Sequence, residues 1–131
     1  MSNPSTTGAQ ESIRENRPID KLVLARLREF EDKDAPNFLA DLIDSFLKDT
    51  PPKLHTLETA IDNGDAAILA RAAHNLKGST GSLGATGMVA LCIELEDAAK
   101  QHLLHLAGDI LVRLQAEFLL VAQALKEEQV S

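Results

Sequence analysis

The feature that most constrains this chain is the spacing of its apolar residues, which recur every three or four positions over long stretches with few breakers between them. Val23, Leu24 and Leu27, then Leu39, Leu42, Ile43, Phe46 and Leu47, then Leu69, Leu76 and Leu83 all follow the helical period. No run alternates with the two-residue period of a half-buried strand. A fold made of helices follows, and 131 residues suffice for one compact bundle. Hydrophobic residues make up 44% of the chain but aromatics only 3%, so its core is packed by aliphatic side chains. The formal net charge of −7 disfavours nucleic acid and anionic membrane surfaces as partners, since both are bound by clustered Lys and Arg.

The breakers divide the chain into five helical segments. Residues 1–18 are polar and read as a flexible leader, with the folded domain over 19–128. The leader lacks the apolar centre of a secretory signal, and no apolar run approaches the roughly 18–20 residues that span a bilayer. A cytoplasmic protein is expected. The first helix begins at Ile19, is supported by Asp20, and carries Val23, Leu24, Leu27 and Phe30 before the charged stretch Glu31–Asp34. A second is expected from about Ala35–Pro36, kinked or restarted at Pro51–Pro52 and stopped at Asn63–Gly64. Asp65 is placed to cap a third helix running to Leu83. Met88, Leu91, Cys92, Leu95 and Ala99 mark a fourth. Ile110, Leu111, Leu114, Phe118, Val121 and Leu125 mark a fifth. Gly108–Asp109 is either a linker and cap or lies inside a fifth helix that starts near Leu103. The fold class is therefore all-α: an antiparallel helical bundle, with long helices joined by short connections.

The third helix carries the candidate site. With Leu69 set at zero on a helical wheel, Ala73, Leu76, Thr80 and Leu83 lie within about 40° and form the buried face. His74 falls about 140° away, with Lys77 near 80°, Gly78 near 180° and Gly81 near 120°. His74 thus stands outside the core, with a cation and two glycines beside it. Each interior glycine costs a helix about 1 kcal/mol relative to alanine, so two on one exposed face weaken it without improving the core. What they provide is a bare surface through which a partner could approach the imidazole. Lys77, one turn on, is placed to meet a negative group attached to His74.

The run His74-Asn75-Leu76-Lys77-Gly78-Ser79, followed by Gly81, Leu83, Gly84 and Ala85, resembles the H-x-L-K-G-S motif of histidine-phosphotransfer domains. The similarity extends to Leu91-Cys92 and Leu95-Glu96, and upstream to Phe46-Leu47, Pro51, Leu54 and Leu57. It implies an antiparallel four-helix bundle core with an additional N-terminal helix, and a carrier that takes a phosphoryl group onto a histidine from a receiver-domain aspartate and passes it to another receiver. His74 matches the phosphoacceptor and Lys77 the stabilising lysine. Gly78, with Gly81, corresponds to the cleared docking surface, and Ser79 could add a hydrogen bond. The partners so implied are receiver domains of response regulators or a hybrid sensor kinase. Mg²⁺ is expected on the receiver, and no cofactor or metal on this chain. Many family members have Gln where this chain has Glu96, and a carboxylate there could orient an imidazole N–H but would repel a phosphoryl group.

Other readings are plainer. Cys92, between Leu91 and Ile93, reads as a buried small hydrophobe. His55, His102 and His105 form no Glu-x-x-His pair and read as exposed or helix-end histidines. Glu94, Glu96 and Asp97 read as a solvated helix face, and Phe38, Phe46 and Phe118 as core residues, with an edge of the docking surface as the alternative for Phe38 or Phe46. No Gly-rich nucleotide loop is present. The competing functional class is a helical adaptor that binds a receiver or kinase domain without accepting phosphate. The initiating Met and polar leader favour a free-standing protein, and an exposed site on a small bundle suits a monomer.

Overall fold

The computed structural model describes residues 18–129, and the expected leader, apart from Pro18, lies outside the described residues. Five helices follow one another: α1 Lys21–Arg28, α2 Phe38–Asp62, α3 Ala66–Ser82, α4 Thr86–Lys100 and α5 Leu104–Gln129. Helices α2 to α5 form a closed ring in which each packs on its two neighbours, and α1 lies across one end against α2. The all-α bundle is what the apolar spacing led us to expect, and the four-helix core with an additional N-terminal helix is what the resemblance implied. Its core is almost purely aliphatic. Ile43, Leu57, Leu69, Leu76, Met88, Leu95, Leu114, Val121 and Leu125 are fully enclosed, and Leu24 of α1 seals the end.

Short turns of one design make the ring antiparallel. At the end of α2 the Asp65 amide donates to the Ala60 carbonyl and the Gly64 amide to Ile61. The same paired bonds recur from Ala85 to Thr80 with Gly84 to Gly81, and from Leu103 to Ala98 with His102 to Ala99. The residue turning left-handed is Gly64, Gly84 and His102 in turn, with φ of 68°, 72° and 56°. Gly84 is further constrained, because a Cβ there would lie 3.0 Å from both the Asp20 carbonyl and the Val23 side chain. The Asp20 amide donates to the Gly84 carbonyl at 2.7 Å, so the base of α1 is moored to the α3–α4 turn.

Several boundaries differ from those the sequence suggested. Ile19 is buried but precedes α1, which Asp20 caps by accepting from the Leu22 amide. Phe30 lies beyond the end of α1 and is 66% exposed, with its ring 6.0 Å from that of half-buried Phe38. Helix α2 starts at Phe38 rather than at Ala35–Pro36, and Glu31 reaches across to accept from the Leu39 amide. Pro51 and Pro52 do not restart α2, which is one helix of 25 residues. Both prolines are exposed, and the amides they lack would have bonded carbonyls on the outer side of the helix. Solvent can serve those carbonyls, while buried Thr50 donates inward to the Phe46 carbonyl at 2.7 Å. Gly108 lies inside α5, which settles the start of that helix near Leu103.

Candidate functional site

Helix α3 is positioned by its cap and its buried stripe. Asp65 accepts from the Ile68 amide at 3.0 Å, and Leu69, Ala73, Leu76 and Thr80 are all completely buried. With that face fixed against the ring, the helical period turns His74 outward, and its side chain is 61% exposed. Gly78, one turn on, faces open space: a Cβ there would meet nothing within 4 Å. At Gly81 a Cβ would make an ordinary contact of 3.7 Å with Val89. The structure therefore brings His74, Gly78 and Gly81 onto one exposed stretch of α3, as the wheel indicated.

The side chain that organises the site is on α4. Glu96 comes within 3.3 Å of His74 Nδ1, hydrogen-bond distance for a ring N–H donating to a carboxylate. Lys100, one turn further along α4, pairs with Glu96 at 3.0 Å, and Lys77 approaches the same carboxylate at 3.7 Å. Glu96 is itself only 9% exposed, so the reading of Glu94, Glu96 and Asp97 as one solvated face fails for Glu96. Glu94 and Asp97 do face solvent, with Glu94 paired to Arg113 at 3.0 Å. The reason is rotation: Glu96 falls next to Leu95 and one turn from Cys92 and Ala99, on the edge of α4 that packs against α3.

The electrostatics follow from that packing. Lys100, through its hydrogen bond, holds the Glu96 carboxyl below its usual range against the opposing effect of burial, and His74 adds to the lowering. Two ammonium groups face one carboxylate, so these three side chains together carry a net positive charge. Repulsion of an incoming anion by Glu96 is thereby offset by its own counter-ions. With Nδ1 donating to Glu96, Nε2 would keep its lone pair, and it has no protein partner among the described residues. The exposed imidazole thus shares the Glu96 carboxylate with two lysines.

The remaining candidates fall into place around this centre. Ser79 is turned to the backbone and donates to the Leu76 carbonyl at 3.1 Å. Cys92 is fully buried, and burial pushes its thiol up to about 12, so it stays protonated and inert at neutral pH. Phe46 and Phe118 are core residues with ring centres 6.0 Å apart. His55, His102 and His105 are exposed, and no three metal-ligating side chains gather among the described residues. Lys100 had no signal of its own in the sequence. Only its spacing of four from Glu96 hinted at a pair, and that spacing is common on helix surfaces.

The Hpt domain family model matches residues 41–127, which hold α3, α4 and every side chain of the site. The chain belongs to the Hpt domain family. Hpt proteins act in two-component phosphorelays. The crystal structure of histidine-containing phosphotransfer protein B from Pseudomonas aeruginosa PAO1 superposes with a TM-score of 0.79 at 32% identity, covering 87% of this chain and 96% of that one. Histidine-containing phosphotransfer protein 5 of Arabidopsis thaliana is 29% identical over 76 residues, 56% of this chain and 48% of its own length. This Hpt chain therefore spans about half the length of that curated relative. No helix among its described residues is long and apolar enough to cross a membrane.

Proposed function

We propose that this Hpt protein relays a phosphoryl group between receiver-domain aspartates, and that His74 carries it as phosphohistidine on Nε2. The observation that carries this reading is the exposed imidazole held through Nδ1 by Glu96, with Nε2 open to a partner. The donor and acceptor are receiver domains of response regulators or of a hybrid sensor kinase. Mg²⁺ belongs to the receiver's side of the complex. A cytoplasmic location and a monomeric state suit such a role.

The chain's own residues have a modest chemical task. Phosphoryl transfer needs an in-line nucleophile and neutralised charge, and little else from the carrier. The rigid α3 stripe fixes where His74 stands, and Glu96 fixes which nitrogen is nucleophilic. Lys77 meets the phosphoryl oxygens. Gly78 and Gly81 leave the space into which the receiver's backbone fits. The carrier supplies no ATP chemistry of its own.

Incubation with a phosphorylated receiver should place acid-labile, base-stable phosphate on the protein, and His74→Gln should take up none. If His74→Gln accepts phosphate as well as the parent, the assignment is wrong. Receiver binding that persists in His74→Ala, with no transfer to the parent, would make the protein an adaptor instead.

A further inference from the structure

Glu96 touches the imidazole of His74 and pairs with Lys77 and Lys100, so one carboxylate links the ring to two cations. We propose that Glu96 is a positioning residue that sets how readily the phosphoryl group leaves His74, with Lys100 as its counter-ion. This rests on the phosphotransfer reading above.

The balance of the transfer step shows why. The Nε2 lone pair forms the new N–P bond, and the P–O bond of the receiver's acyl phosphate breaks, its electron pair leaving with the aspartate. The ring enters neutral with its proton on Nδ1 and ends as a phosphorylated imidazolium, while one negative charge passes to the aspartate. No proton has to move. The cationic ring is also the form from which the phosphoryl group departs, because the leaving nitrogen then takes the electron pair as neutral imidazole. Whatever keeps the Nδ1 proton in place keeps the phosphoryl group transferable. A carboxylate at 3.3 Å does this more strongly than a neutral amide in the same place would.

The lysines work in the same direction. Phosphoryl oxygens on Nε2 compete with Glu96 for Lys77 and Lys100. Lys77, at 3.7 Å, gives up only a loose ion pair. Lys100 is 64% exposed on a flexible stem and is free to turn toward the new anion. As the lysines turn, Glu96 is left less neutralised beside the phosphoryl group and favours its departure. The charged groups engaged with this ring come from two helices, Lys77 on α3 with Glu96 and Lys100 on α4. The Cys92 thiol beneath them is neutral.

Glu96→Gln keeps an acceptor for Nδ1 and removes the charge. With the full chain phosphorylated by a receiver, the phosphohistidine of Glu96→Gln should live about fivefold longer at neutral pH, the size fitting ion pairs that are half in solvent. The pH at which the phosphohistidine becomes labile should fall. Lys100→Gln should shorten the lifetime and raise that pH, which general damage to the fold would not do. In urea, parent and variants should lose phosphate at one rate. Uptake with equal lifetimes, or shifts in the same direction for both variants, would overturn the role of Glu96 while leaving the carrier reading intact. No uptake by the parent would overturn both.

Discussion

Two carboxylates in this small bundle each gather two cations from other turns or helices, and they do different things. Glu128, near the end of α5, holds Lys21 at 3.7 Å and Arg28 at 2.9 Å, and Arg28 also donates to the Glu128 carbonyl. Glu96 holds Lys100 at 3.0 Å, Lys77 at 3.7 Å and the ring of His74. Their side chains are similarly enclosed, 17% and 12% exposed. The first cluster is closed, because a planar guanidinium engages two oxygens of one residue and fixes α1 to the bundle. The second is open. Its cations are compact charges on flexible stems, and its third member, the His74 ring, is 61% exposed. An ion cluster thus closes or stays open according to what its partners still have free.

The comparison can be broken in order of effect. His74→Gln should reduce phosphate uptake to background in a labelling assay and leave the melting temperature unchanged, since that side chain is mostly in solvent. Gly78→Leu should fold like the parent, because position 78 is open. Its rate of transfer from a receiver, followed by rapid mixing, should fall at least about tenfold, as displacements of about 1 Å can cost a hundredfold. Arg28→Ala should cost about 1 kcal/mol in a denaturant titration, given its partial exposure, and leave transfer unaltered. A pH series sharpens the contrast most finely. Because the folded state holds the Glu96 carboxyl below its usual value of 4.5, its contribution to stability is complete above that pH and is lost as pH falls through the folded value. The difference in melting temperature between the parent and Glu96→Gln should therefore be largest near neutrality and vanish in acid.

Much of α3 was legible because everything that fixes it is local. Asp65 caps it, Gly84 ends it, and Leu69, Ala73, Leu76 and Thr80 repeat at the helical period, so the outward aim of His74 follows from arithmetic. The partnership of Glu96 was not legible in that way. It depends on how α4 is rotated against α3, a tertiary quantity, and the run Glu94–Asp97 looks alike on either side of that rotation. Lys100 was missed for the same reason. The continuity of α2 through Pro51–Pro52 depends on both prolines facing outward, which the segment's spacing alone left open. Phe30 followed the apolar period but fell beyond α1, since the helix ends at Arg28.

The central claim concerns one atom, and nuclear magnetic resonance can address it. In the protein labelled with ¹⁵N and phosphorylated by a receiver, long-range proton–nitrogen correlations of the histidine rings identify the nitrogen bonded to phosphorus. The account predicts a single phosphorylated ring, that of His74, with phosphorus on Nε2 and the proton retained on Nδ1. Phosphorus on Nδ1 of His74, or on His55, His102 or His105, would contradict it.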